Sequence, residues 1–149
     1  MANRNARVEI SLDVEALRDI LGERQEKMPQ VVREVLTRQG IEGESLTKRK
    51  TPVDTGRLRS SVSHQVEDDY VAVGSNVKYA PFVIGDVPPF IIKPRRAKAL
   101  RFKIGNRVIF AQRVRHPGGK KILQKVAEEL RRKQPQVVHE VLVRQGIIE

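Results

Sequence analysis

The side chains best suited to catalysis are few and scattered. His64, His116 and His139 lie in three separate stretches with no i,i+4 pairing, which is not the spacing of a metal site. Ser60, Ser61 and Ser63 lack the glycine-flanked elbow that raises a nucleophilic hydroxyl. Acidic residues concentrate in stretches of helical periodicity and at Asp68-Asp69, and no two carboxylates can be set across a cleft for acid–base work. Cysteine is absent, which removes thiolate chemistry, disulfides and cysteine zinc sites and fits assembly in a reducing cytoplasm. The densest local pattern is Thr51-Pro52-Val53-Asp54-Thr55-Gly56-Arg57. Thr-Gly beside arginine can touch phosphate, but no Gly-rich loop with a lysine and no preceding hydrophobic strand accompany it. A turn explains these residues better. Pro52 pushes Thr51 out of the helical region, Asp54 can accept backbone N–H bonds from the residues after it, and Gly56 permits a positive φ. Pro52, Asp54, Thr55, Gly56 and Arg57 are therefore expected to form a structural turn that ends a helix and opens a strand. No enzyme, cofactor or metal is expected.

What the chain offers instead is cationic chemistry. From Val87 to Gln124 there are eleven basic residues and no Asp or Glu, while the other 18 basic residues match the 18 acidic ones. The whole formal charge of +11 thus belongs to one segment, which points to an anionic partner facing one part of the fold. Lys93, Arg95, Arg96, Lys98, Arg101, Arg113 and Arg115 are the candidate partner-binding residues. With two tyrosines, four phenylalanines and no tryptophan, a base-stacking platform is poorly supplied. Contact with double-stranded DNA would be to the phosphate backbone, without sequence reading. A solvated face serving only solubility is the plainer alternative, and the complete lack of acids over the segment argues against it.

The elements that must carry this segment are read from periodicity. Arg7 to Leu12 alternates as a half-buried strand, and Asp13 offers an N-cap for a helix beginning at Val14. From Val14 to about Lys48 the apolar positions recur at helical spacing, giving a long amphipathic helix that Pro29 and Gly40 should kink or break. Ser61–Val66 and Tyr70–Gly74 form a hairpin, and Ala99–Ile104 with Arg107–Val114 a second, turning at Gly105-Asn106. Between them the prolines at 81, 88, 89 and 94 forbid a central strand and indicate an extended arm. A closing amphipathic helix runs from about Lys120 to Arg132, and Pro135 is expected to interrupt it. The fold class is α+β: a long N-terminal helix on a small antiparallel sheet built from two hairpins, then a closing C-terminal helix plus one more.

That last helix is an internal repeat. Residues 29–41, PQVVREVLTRQGI, return at 135–147 as PQVVHEVLVRQGI, with two differences. Residues 1–134 are thus read as the main domain and 135–149 as an appended copy. Val137, Val138, Val141 and Leu142 are its candidate interface, one copy serving within the subunit and the other on a neighbour, like a swapped element. A recent duplication that added no new role is the alternative. No apolar run approaches the roughly 20 residues that cross a bilayer, so no membrane partner is expected, and residues 1–7 lack the apolar core of a signal peptide.

In order and spacing, Thr51 to Ser61, Tyr79-Ala80-Pro81-Phe82, Ala99-Leu100-Arg101-Phe102 and His116-Pro117-Gly118 resemble the tail-component, or neck, family of long-tailed bacteriophages typified by phage Hong Kong 97. The resemblance runs from Val14 to about Leu130. It implies a virion structural protein, assembled in the host cytoplasm, that forms a homo-oligomeric ring (hexamer or dodecamer) at the head–tail junction. Such a ring completes the tail and joins it to the head connector, with the tail tube or tail terminator and portal-associated proteins as neighbours. The rival reading is a free basic nucleic-acid-binding protein. Within the neck reading, acidic proteins suit most of the charge better than DNA, because a strongly attractive lumen would retard DNA exit.

Overall fold

The computed structural model describes residues 6–149, so residues 1–5 of the stretch tested for a signal-peptide core lie outside it. β1 (Ala6–Ser11) pairs antiparallel with β3, and the Asp13 side chain then accepts the N–H of Ala16 at 3.0 Å to start α1 (Val14–Leu21). The long helix does not kink at Pro29 or Gly40. It breaks earlier, where Gly22 adopts φ +55 and a 3-10 stretch, Gly22–Lys27, leads into α2 (Met28–Lys50). Pro29 sits in the first turn of α2, where its missing N–H has no intrahelical partner to lose. Gly40 lies inside α2 because the helix presses on the sheet there: an added Cβ would come within 3.0 Å of the His64 ring and of Val71.

α2 ends at Thr51, which is extended at φ −72, ψ 125, as the following Pro52 requires. A five-residue helix, α3 (Arg57–Ser61), then precedes β2 (Ser63–Val66) and β3 (Tyr70–Ser75). β3 is the middle strand of a three-stranded antiparallel sheet, order β1-β3-β2. Its Val71 and Val73 are fully buried, and Val73 faces Gly43 of α2 and Leu130 of the closing helix. The core is thus one sheet face, two long helices and α1, with Ile10, Leu17, Val35, Leu36, Leu123 and Leu130 at its centre.

Two elements differ from the sequence expectation. The second hairpin, β5 (Leu100–Ile104) with β6 (Arg107–Ala111), forms a separate two-stranded ribbon and does not join the sheet; β4 (Phe90–Ile92) pairs instead with β7 (Val114–His116) in a third. The closing helix α4 (Ile122–Arg144) also passes straight through Pro135. Leu130 before the proline and Val141 and Leu142 after it are buried, and that packing outweighs the roughly 3 kcal/mol that an interior proline costs. The second repeat copy is therefore the outer half of α4.

One ionic contact ties α2 to β2. The Glu44 carboxylate receives Lys48 Nζ at 2.7 Å and lies 2.6 Å from His64 Nδ1. The Lys48 bond, aided by His64, holds the Glu44 carboxyl below its ordinary value against some opposition from burial. A depressed folded-state pKa contributes stability above the ordinary glutamate range, and that contribution is lost as pH falls through it. Glu44→Gln is expected to lower the melting temperature at pH 7, with the difference from the parent shrinking as pH falls through the lowered Glu44 value, as thermal melts at descending pH would read.

Candidate functional site

The basic residues sit on an arm that has no core of its own. From Asp86 to Pro117 no residue is buried, although the stretch includes β4, β5, β6 and β7. β5 and β6 pack chiefly on each other, and β4 and β7 do the same. Register explains the character of each surface. On the distal ribbon Arg101 lies opposite Phe110 and Lys103 opposite Val108, so one face alternates cations with exposed apolar groups, Phe110 being 66% exposed. The other face carries Leu100 with Ala111, Phe102 with Ile109, and Ile104 with Arg107. A two-stranded ribbon is marginal alone in water, so apolar groups at this density imply a surface completed by contact.

The connection between β4 and β5 holds Lys93, Arg95, Arg96 and Lys98, all exposed. Pro94, Arg95, Arg96, Leu100 and Arg101 line an open groove of about 610 Å³ there. Arg113 lies just before β7 and Arg115 within it, opposite Ile91. The structure therefore brings all seven sequence-predicted cations onto one arm, and among the described residues none of them forms an ion pair.

The arm is fixed at its base by backbone. The N–H groups of Gly119, Lys120, Lys121 and Leu123 donate to the carbonyls of Val87, Val83, Gly85 and Ile84 at 2.8 to 3.0 Å. Two strands of chain can cross so closely because Gly85 and Gly119 lack side chains: a Cβ on Gly119 would lie 2.7 Å from the Gly85 carbonyl carbon and 2.8 Å from Pro81 O. Above the crossing the Phe90 and His116 rings stack at 4.8 Å, with Phe82 edge-on at 5.6 Å from Phe90. His116 Nδ1 also accepts the Gly118 N–H at 3.0 Å, which orders the His-Pro-Gly turn. Periodicity gave no sign of this base, since it joins residues some thirty positions apart; the paired glycines and the flanking aromatics were its only sequence signal.

The turn residues take a different arrangement from the one expected. Gly56 has φ +84, but the backbone bond is made by Thr55, whose Oγ1 accepts the Arg57 N–H at 3.3 Å, and the turn opens α3 where a strand was expected. Pro52, Asp54 and Arg57 are exposed and, among the described residues, Asp54 and Arg57 have no ion-pair partner. The anchoring arginine is Arg59, which donates to Thr51 O at 3.1 Å and so closes the turn onto the end of α2. Val137, Val138, Val141 and Leu142 lie against α2 of the same chain.

Residues 15–84 match the family model described as "Bacteriophage HK97-gp10, putative tail-component". That segment is α1, α2, the Thr-Pro-Val-Asp-Thr-Gly-Arg turn, the β2–β3 hairpin and the Tyr-Ala-Pro-Phe turn. Residues 15–84 are thus similar to this family of phage tail components. No curated protein and no solved structure gives a significant match to the chain. The HK97 tail-component match ends at Ile84, where the arm begins, so the landmarks at Ala99 to Phe102 and His116 to Gly118 lie beyond it. The match supports reading the chain as a structural component of a phage tail. Among the described residues no helix is long and apolar enough to cross a membrane.

Proposed function

We propose that this tail component is a neck subunit that forms a homo-oligomeric ring at the head–tail junction, completing the tail and joining it to the head connector. The observation that carries the reading is the coreless basic arm, Asp86–Pro117, set on an HK97 tail-component body. A subunit whose apolar and cationic ribbon faces find no partner among the described residues is suited to neighbours that complete it. Acidic faces of adjoining neck proteins match the arm in charge, and its exposed apolar groups give such contacts a desolvated centre that phosphates would not use. Residues 1–134 serve as the neck domain in this reading, with 135–149 appended.

Static light scattering, with and without duplex DNA at low and physiological salt, tests it. A closed ring of six or more subunits, indifferent to DNA, is the expected result. A monomer or dimer whose duplex binding falls steeply with salt would overturn the neck reading in favour of a phosphate-binding module.

A further inference from the structure

The two copies of the repeat pack against each other. α2 and α4 run antiparallel, with Arg38 3.4 Å from Glu140 and Arg144 3.1 Å from Glu34. Pro29 corresponds to Pro135, so Glu34 corresponds to Glu140 and Arg38 to Arg144. The two ion pairs are therefore one contact made twice, related by a local two-fold axis. Val35 and Leu36 are buried on one copy and their equivalents Val141 and Leu142 on the other. The two sequence differences, Arg33 for His139 and Thr37 for Val143, leave all of these groups unchanged.

This is the geometry of an isologous dimer, in which the same patch meets itself across a two-fold, realised within a single chain. The relation holds for these groups and fails where the sheet meets α2 alone: Gln39 is buried against Leu130 O and Gln134, whereas its equivalent Gln145 donates to Glu34. Gly40 continues α2 into the sheet contact, whereas Gly146 takes φ +71 and ends the helix, where Arg24 and Lys27 donate to the carbonyls of Gly146 and Gln145. Proline begins both copies: Pro29 stands in the first turn of α2, and a chain cut before Pro135 would end where a second α2 begins.

We propose that α2 carries a two-fold docking face for a second copy of this chain, and that residues 135–147 occupy that face in cis. The appended segment then acts as an internal stand-in for a partner's α2. It keeps the face closed to two-fold pairing, so that subunits associate through other surfaces. The partner is specified by the face itself: Glu34 and Arg38 flanking Val35 and Leu36 are complementary to the same four residues arriving antiparallel.

The test compares the full-length protein with a chain ending at Gln134, by light scattering and circular dichroism at matched concentrations. The full chain sets the reference mass, whatever assembly it forms. Truncation is expected to double that mass with helical content per residue retained. Adding Arg38→Glu to the truncated chain sets like charges against each other at both symmetric contacts and should weaken the new association about tenfold or more. As a second arm, full-length protein carrying Glu140→Arg and Arg144→Glu weakens the cis contact while leaving the α2 face intact, and should gain association as concentration rises. A truncated chain that stays folded at the reference mass overturns the proposal. So does a truncated chain that loses its helix together with a full-length double variant that gains no association. A ring made through other surfaces is indifferent to the sign of charge at position 38, which separates this outcome from that of the neck reading.

Discussion

Leu130→Ala is expected to cost about 3 kcal/mol and to lower the melting temperature by roughly 10 °C. Leu130 is fully buried where three elements converge. Its side chain fills the space above Gly43 of α2 and beside Val73 of β3, and its carbonyl accepts the Gln39 amide at 3.0 Å. Gln39 is itself buried and also receives Gln134, so a collapse of α4 toward the vacated volume would strain a polar bridge that has no solvent to replace it. The site therefore relaxes poorly, which keeps the cost well within the range measured for buried leucine-to-alanine changes. Urea unfolding followed by circular dichroism reads the loss directly. A midpoint shift equivalent to less than about 1 kcal/mol would mean that α4 does not pack on the sheet through this residue.

The second large effect is on joining and leaves stability alone. Replacing Arg95, Arg96 and Lys98 together with glutamate is expected to cut head–tail joining at least tenfold and leave the melting temperature unchanged. All three lie between β4 and β5 on the exposed arm, so no core contact is lost. The arm bears nine cations and no carboxylate between Val87 and Pro117, and reversal at three places both removes attraction and sets new repulsion against an acidic neighbour. Virion yield in a complementation assay, paired with a thermal melt of the isolated subunit, separates the two effects. Normal yield would refute the role given to the arm, whereas reduced yield with reduced stability would assign the effect to folding.

Much of the body was legible because its signals are local. The alternation in β1, the Asp13 cap, the helical spacing of α2 and the first hairpin each arise from residues within one turn or one strand of each other. The failures are places where tertiary packing decided. Pro135 reads as a helix end, yet Leu130, Val141 and Leu142 hold both flanks to α2 and the helix continues. Gly40 and Gly146 sit in the same Arg-Gln-Gly-Ile context and take opposite conformations, because only Gly40 must let a helix approach His64 and Val71. The break at Gly22 was locally visible, as a glycine directly after the apolar run ending at Leu21, and the more conspicuous Pro29 drew the expectation away from it. On the arm, the cations were evident from composition. The pairing of β4 with β7 was not, since the strands are three residues each and joined only through the rest of the arm.

The arm that holds the cations buries none of its own residues, and it meets the body at a crossing of glycine backbone capped by only two of its side chains, Phe90 and His116. Apart from Phe90, His116 and the backbone at Val87 that meets Gly119, substitutions between Asp86 and Pro117 are thus lightly constrained by folding and are filtered chiefly by contact. A protein built this way can change which surface it fits by rewriting some thirty residues while its body stays as it is. Surfaces of this kind should diverge fastest between related proteins, and an arm moved onto another body at the same glycine crossing should carry its preference with it.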